Sequence, residues 1–125
     1  MSSQWEEFGE GPDQAGDLRV TLDRKGEIMI GARAVARLGE PDWVVLMFDR
    51  ANSLIGVRPS HTHEKNAYPT VHKMNGRHRI VRANKFCRHY GIQFERTRAF
   101  ISAKIDESGV LVLDLKETKA AGWKG

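Results

Sequence analysis

The residues most able to do chemistry lie in the middle of the chain. Between positions 58 and 104, eleven Lys and Arg residues stand against only two carboxylates, Glu64 and Glu95, and all five histidines fall in the same block. Cations crowd around Asn75-Gly76: His72, Lys73, Arg77, His78 and Arg79, then Arg82, Lys85, Arg88 and His89. A basic field over one face is what a polyanion demands, and a two-stranded ribbon can carry arginines into a DNA major groove. Lys73, Arg77, Arg79, Arg82, Lys85 and Arg88 are therefore the candidate nucleic-acid contacts. A competing reading gives the same arginines no ligand. They would keep an exposed ribbon soluble, or face acidic surface in this chain or in a partner subunit. Such surface exists in the sequence, because residues 1–57 hold six Lys and Arg against ten Asp and Glu.

Other chemistry is thinly supported. His61-Thr-His63 and Cys87-Arg-His89 are pairs of metal-ligating types, but neither has the longer spacing of a zinc site, so no metal is expected. Cys87 falls at an inward helical position beside Phe86 and Tyr90, where a small buried hydrophobe fits. Asp23 and Glu27 could meet across a turn as paired carboxylates, although carboxylates beside turns are common in hairpins. The sequence contains no Gly-rich phosphate loop, nucleophile elbow or HExxH, and the chain is read as a non-enzyme without a cofactor. Trp43, Phe48, Phe94 and Phe100 are read as core.

A chain of 125 residues with 40% hydrophobic and 29% charged residues fits one globular domain. No apolar run reaches the roughly 20 residues of a membrane helix, and the acidic start has no apolar signal core. No membrane association is expected, and a cytoplasmic location follows. A single cysteine fits a reducing compartment.

The elements that would position the basic block can be read from periodicity. Residues 1–17 are polar and Gly-rich, and are expected to form a flexible leader whose Trp5 and Phe8 could dock onto the domain or a neighbouring subunit. Leu18, Val20 and Leu22 alternate as a strand, Arg24-Lys25-Gly26 turns the chain, and Ile28 and Ile30 return it. ARAVARL is a short helix closed by Gly39. Trp43–Phe48 is an apolar run that predicts a strand buried on both faces. Asp49–Asn52 is a turn, and residues 53–57 return. Residues 60–67 link to a second half in which 68–74 and 77–81 flank Asn75-Gly76 as a tight hairpin. Residues 83–90 form a helix ended by Gly91, 97–105 one strand and 110–115 the last. Residues 118–125 are a loose tail, with Trp123 able to pack. Half one (18–59) and half two (68–117) thus share an element order. Their turn glycines lie fifty positions apart and their helix-ending glycines fifty-two, which suggests duplication or fusion.

LDRKGEIMIGARAVARLG resembles the AbrB/SpoVT-like swapped-hairpin barrels, and the tandem arrangement resembles their MraZ branch. The matching features are Asp23, Lys25-Gly26, Ile28 and Ile30, the helix 32–38 and Leu38-Gly39, with PDWVVL following. The resemblance implies a mainly β fold with two short helices, in which two pseudo-repeated ββαββ halves interleave into one barrel (18–117). It also implies bacterial transcription regulation by binding duplex DNA. Three positions depart from the family pattern: Glu27 stands where Arg is usual, Gly31 where Pro is usual, and Val35 where a helix Arg is common. A carboxylate at a phosphate-contacting position repels DNA, so DNA contact is expected from the second hairpin. The expected protein is a homo-oligomeric DNA-binding regulator. The rivals are a non-catalytic protein-interaction barrel that has lost DNA binding, and a barrel with a small-ligand or enzymatic cleft.

Overall fold

The computed structural model describes residues 4–5 and 18–121. Apart from Gln4 and the exposed Trp5, the expected leader lies outside the described residues, and so does Trp123. In chain order the elements are β1 (Val20–Leu22), β2 (Glu27–Ile30), α1 (Ala32–Arg37), β3 (Trp43–Asp49), β4 (Leu54–Ser60) and β5 (Ala67–Lys73). Then come β6 (His78–Arg82), α2 (Asn84–Tyr90), β7 (Arg98–Phe100), β8 (Lys104–Ile105), β9 (Leu111–Asp114) and β10 (Thr118–Ala120). The fold is mainly β with two short helices, built on one curled antiparallel sheet that forms a half-barrel.

The curl follows from two short connections. The sheet order is β10-β7-β1-β2-β6-β5-β3-β4-β9-β8, so β7 and β8 stand eight strand positions apart. A flat sheet would separate them by about 38 Å, at about 4.8 Å per strand. Only residues 101–103 join Phe100 to Lys104, a reach of at most about 14 Å. Residues 115–117 make an equally short link between β9 and β10, also at opposite ends of the order. The sheet must therefore roll until its ends come within about 14 Å, the reach of these links. The two links are also tied to the barrel, since Ile101 N–H donates to the Glu117 carbonyl at 2.9 Å and Leu115 N–H to the Ser53 carbonyl at 3.0 Å.

This closure explains two departures from the sequence reading. Residues 97–105 do not form one strand, because β7 must pair with β1 and β10 while β8 pairs with β9. The expected loose tail begins with a strand, because β10 covers the free edge of β7. A third departure concerns β3. Only Val44 of its apolar run is fully buried, with Leu46 and Phe48 packed partly against the core. Trp43, Val45 and Met47 point to the other face, where Met47 is exposed. The strand is one-sided despite its composition.

Inside the curl, Val20, Leu22, Ile28 and Ile30 meet Val44, Ile55, Val57, Val81, Leu111 and Leu113. Each such side chain contributes about 1.5–3 kcal/mol through burial. The hairpins interleave: β1–β2 lies between β7 and β6, and β5–β6 lies between β2 and β3. Each hairpin turn faces the helix of the other half. The Gly26 carbonyl accepts from Ala83 N–H at 2.9 Å, at the start of α2. Asn75 and Arg77 border a shallow groove with Val35 and Ala36 of α1. The helix ends are as expected. Gly39 N–H bonds the Ala36 carbonyl and Glu40 N–H the Val35 carbonyl, which closes α1 in a Schellman motif. Gly91 caps α2 with φ of 70°.

Gly26 is the tightest of these joints. Its φ is +86°, and a Cβ there would lie 2.6 Å from the Asn84 Cα. Gly109 has nearly the same φ, +85°, with nothing within 4 Å of such a Cβ. Gly109→Ala should therefore lower the unfolding free energy by about 1–2 kcal/mol, the left-handed backbone cost alone. Gly26→Ala should lose clearly more, because α2 must shift as well. Urea midpoints of the two variants measure the difference, and equal losses would remove the contact with α2 from the account.

Candidate nucleic-acid interface

The six candidate contacts do not form one cluster. Lys73 ends β5 and is exposed, and Arg77 is exposed in the following loop. Arg82 ends β6, also exposed, in register with Glu27 on β2. Lys85 and Arg88 are exposed on α2, but on different flanks. Lys85 lines a groove bounded by β3 and β5, and Arg88 lines one beside the β1–β2 turn. Arg77 and Arg82 are five residues apart along a strand, about 17 Å, so the candidates fall into two groups at opposite ends of β6.

Arg79 belongs to neither group, which corrects the sequence reading. It is 3% exposed, and its guanidinium donates from Nε to the Pro41 carbonyl at 3.4 Å and from Nη1 to the Gly76 carbonyl. Strand alternation turns Arg79 inward with Val81, while His78, Ile80 and Arg82 face the other way. The charge therefore fastens the β5–β6 turn to the segment before β3. The same fastening goes with a wider turn than Asn75-Gly76 predicts. The last strand pair is Lys73 with His78, and Met74, Asn75 and Gly76 all have positive φ, at 54°, 59° and 83°.

At the other end of β6 the sequence reading missed two cations. Arg24 and Lys25, in the β1–β2 turn, share a groove of about 470 Å³ with Asn84 and Arg88 of α2. Arg24, Lys25 and Arg88 are all exposed. The turn is rigid where it presents them, because Asp23 Oδ1 accepts from Lys25 N–H at 2.9 Å and Glu27 N–H at 3.0 Å. Asp23 lines the same groove with Oδ1 bonded to the turn backbone, and Glu27 lies on β2 in register with Arg82. By net charge Arg24 and Lys25 belong to the acidic half. Only the docking of Gly26 on α2 brings them beside Arg88.

Among the described residues, ion pairs leave both groups of cations alone. They are Arg58–Glu64 at 3.0 Å, His72–Asp42 at 3.9 Å and Lys116–Asp114 at 2.9 Å. Among the described residues, none of Arg24, Lys25, Lys73, Arg77, Arg82, Lys85 or Arg88 lies within ion-pair distance of a carboxylate. Glu6, Glu7 and Glu10 fall outside the described residues.

The histidine and cysteine pairs are placed apart. His63 stacks on Trp43 with ring centroids 4.4 Å apart, and His61 packs over Gly39. Cys87 is buried in the core, and His89 is exposed on α2. No group of three or more metal-ligating side chains occurs among the described residues. No described helix is long and apolar enough to cross a membrane. No protein-family model matches the chain, and no curated protein or solved structure is significantly similar to it.

Two measurements follow from these placements. Arg79→Met keeps much of the buried stem but leaves the Pro41 and Gly76 carbonyls without their donor. It should cost about 1–3 kcal/mol in a urea melt, whereas Arg77→Met should change stability by less than about 0.5 kcal/mol. Burial, with the Asp23 charge adding to it, pushes the Cys87 thiol up to about 11. At pH 8 the thiol is protonated and only 4% exposed, at the wall of the groove beside the β1–β2 turn, so a disulfide reagent should label it slowly until the protein unfolds in denaturant. Rapid labelling of the native chain would contradict its place in the core.

Proposed function

We propose that this chain is a nucleic-acid-binding protein, a transcription regulator of the AbrB/MraZ-like swapped-hairpin type. It holds duplex DNA against the β1–β2 turn and the exposed flank of α2. One observation carries the reading: Arg24, Lys25 and Arg88 come from segments sixty residues apart, share one open groove, and have no carboxylate partner among the described residues. Arg82 extends the surface at the end of β6. Aligned phosphates release counterions to such a row of cations, which supplies affinity without base readout. Interleaved hairpins, each turn set on the opposite helix, support the swapped-hairpin reading and the descent of both halves from one ββαββ unit. The expected homo-oligomer would repeat the cationic face along a duplex.

In this reading the second hairpin is a secondary contact. Arg77 stands about 17 Å along the strand from Arg82, at the other end of β6, and Arg79 is inside the fold. Glu27, the departure that argues against DNA contact by the first half, stands across from Arg82 and lowers the field at that point only.

Fluorescence anisotropy with a mixed-sequence duplex at several salt concentrations tests the proposal. About three phosphate contacts predict roughly a 40-fold loss of affinity between about 50 and 200 mM salt. The triple variant Arg24→Ala, Lys25→Ala, Arg88→Ala should flatten the salt dependence and weaken binding more than Lys73→Ala with Arg77→Ala. No binding at low salt would sink the DNA reading in favour of a protein-interaction barrel. A larger effect from the Lys73 and Arg77 pair would return the interface to the second hairpin.

A further inference from the structure

A second groove lies on the other flank of α2. It measures about 660 Å³, within the range of small-molecule sites. Its origin is in the strand register. β3 pairs with β4 from Trp43 to Asp49, but with β5 only at Trp43, Val44 and Val45. Beyond Val45 the sheet opens, and α2 sits over the gap with Phe86 and Tyr90 against Phe48. The groove left between them is bordered by the apolar residues Val45, Leu46, Pro69 and Phe86.

The charged side chain at this groove is a cation, Lys85. Lys85 and His89 both line it, and their i, i+4 spacing puts them on one face of α2. Tyr68 and Tyr90 bring phenol rings to the same space, and no Asp or Glu lines it. None of these four side chains hydrogen-bonds to another described residue. The Tyr90 ring is held in place by Phe48 at 4.5 Å, Phe86 at 5.0 Å and the Arg50 guanidinium at 5.2 Å. A fixed aromatic wall, an apolar border and a cationic rim without a carboxylate define a ligand with a flat apolar body and one negative charge.

We propose that the groove between β3, β5 and α2 binds a small aromatic monocarboxylate, its ring on Leu46, Phe86 and Tyr90 and its carboxylate at Lys85 and His89. The site is independent of the DNA face, which uses the opposite flank of the same helix. It would make this chain a ligand-binding protein whether or not it binds DNA.

Naphthoate is a suitable probe, with naphthylmethanol as the uncharged comparison and amide NMR spectra of the full chain as the readout. Naphthoate should give saturable shifts at residues 45–46, 67–69 and 85–90, and naphthylmethanol should bind about tenfold more weakly. Lys85→Gln, an exposed position whose folding the same spectra verify, should weaken naphthoate by a similar factor and leave the alcohol unchanged. The triple variant Arg24→Ala, Lys25→Ala, Arg88→Ala should bind naphthoate as the parent does, which separates this site from the DNA proposal. The proposal is overturned by no saturable shift up to the solubility of the probe, by equal affinity for acid and alcohol, by an unchanged Lys85→Gln, or by shifts centred on the β1–β2 turn.

Discussion

The rest of the structure depends on the meeting of the two ends of the sheet. Ten short strands, several of only two to four residues, are each too small to be stable alone. They persist because residues 101–103 and 115–117 tie opposite ends of the order together and force the sheet to curl. The curl brings the inward side chains of β1, β2, β4, β6 and β9 into one core. It also leaves only the two- and three-residue strands β8 and β10 as edges, which limits pairing with other chains.

Closure is reinforced at the two hairpin turns, by different means. The β1–β2 turn is set against α2 through the close approach of Gly26 to Asn84, with Asp23 binding the turn N–H groups. The β5–β6 turn is held by Arg79, whose buried charge is satisfied by backbone carbonyls instead of a carboxylate. A buried guanidinium costs heavily unless its donors are paired, so this arrangement specifies the turn geometry as well as holding it. Positive φ at Met74 fits a turn shaped from outside by such a contact, since Met does not favour that region, whereas Asn75 adopts it readily.

Helix α2 is where architecture and surface chemistry coincide. Its seven residues send Phe86 and Cys87 into the core, Arg88 towards the β1–β2 turn and Lys85 with His89 towards β3 and β5. A short helix on a curled sheet leaves a groove on either flank, and here both grooves are cationic. The flanks differ in what accompanies the charge. One has exposed Arg24 and Lys25 beside a groove of mixed polar and apolar lining. The other has aromatic and aliphatic surface, suited to a ligand that brings its own apolar body.

Local features were legible in the sequence because they rest on local physics. Alternation gave β1 and β2 with their buried faces, glycine marked the ends of both helices, and the basic block was visible by counting. Long-range pairing was not legible. Nothing in residues 97–105 reveals that β7 and β8 belong to opposite ends of a sheet, and period-2 alternation cannot say that Arg79 faces the core while Arg77 faces water. Arg24 and Lys25 were overlooked because net charge along the chain assigns them to the acidic half. The sequence by itself determined most of the strands, both helices and the excess of positive charge. The tertiary structure decided which cations are buried, which stand together and where a groove opens, because those depend on partners that are distant along the chain and adjacent only after the sheet has closed.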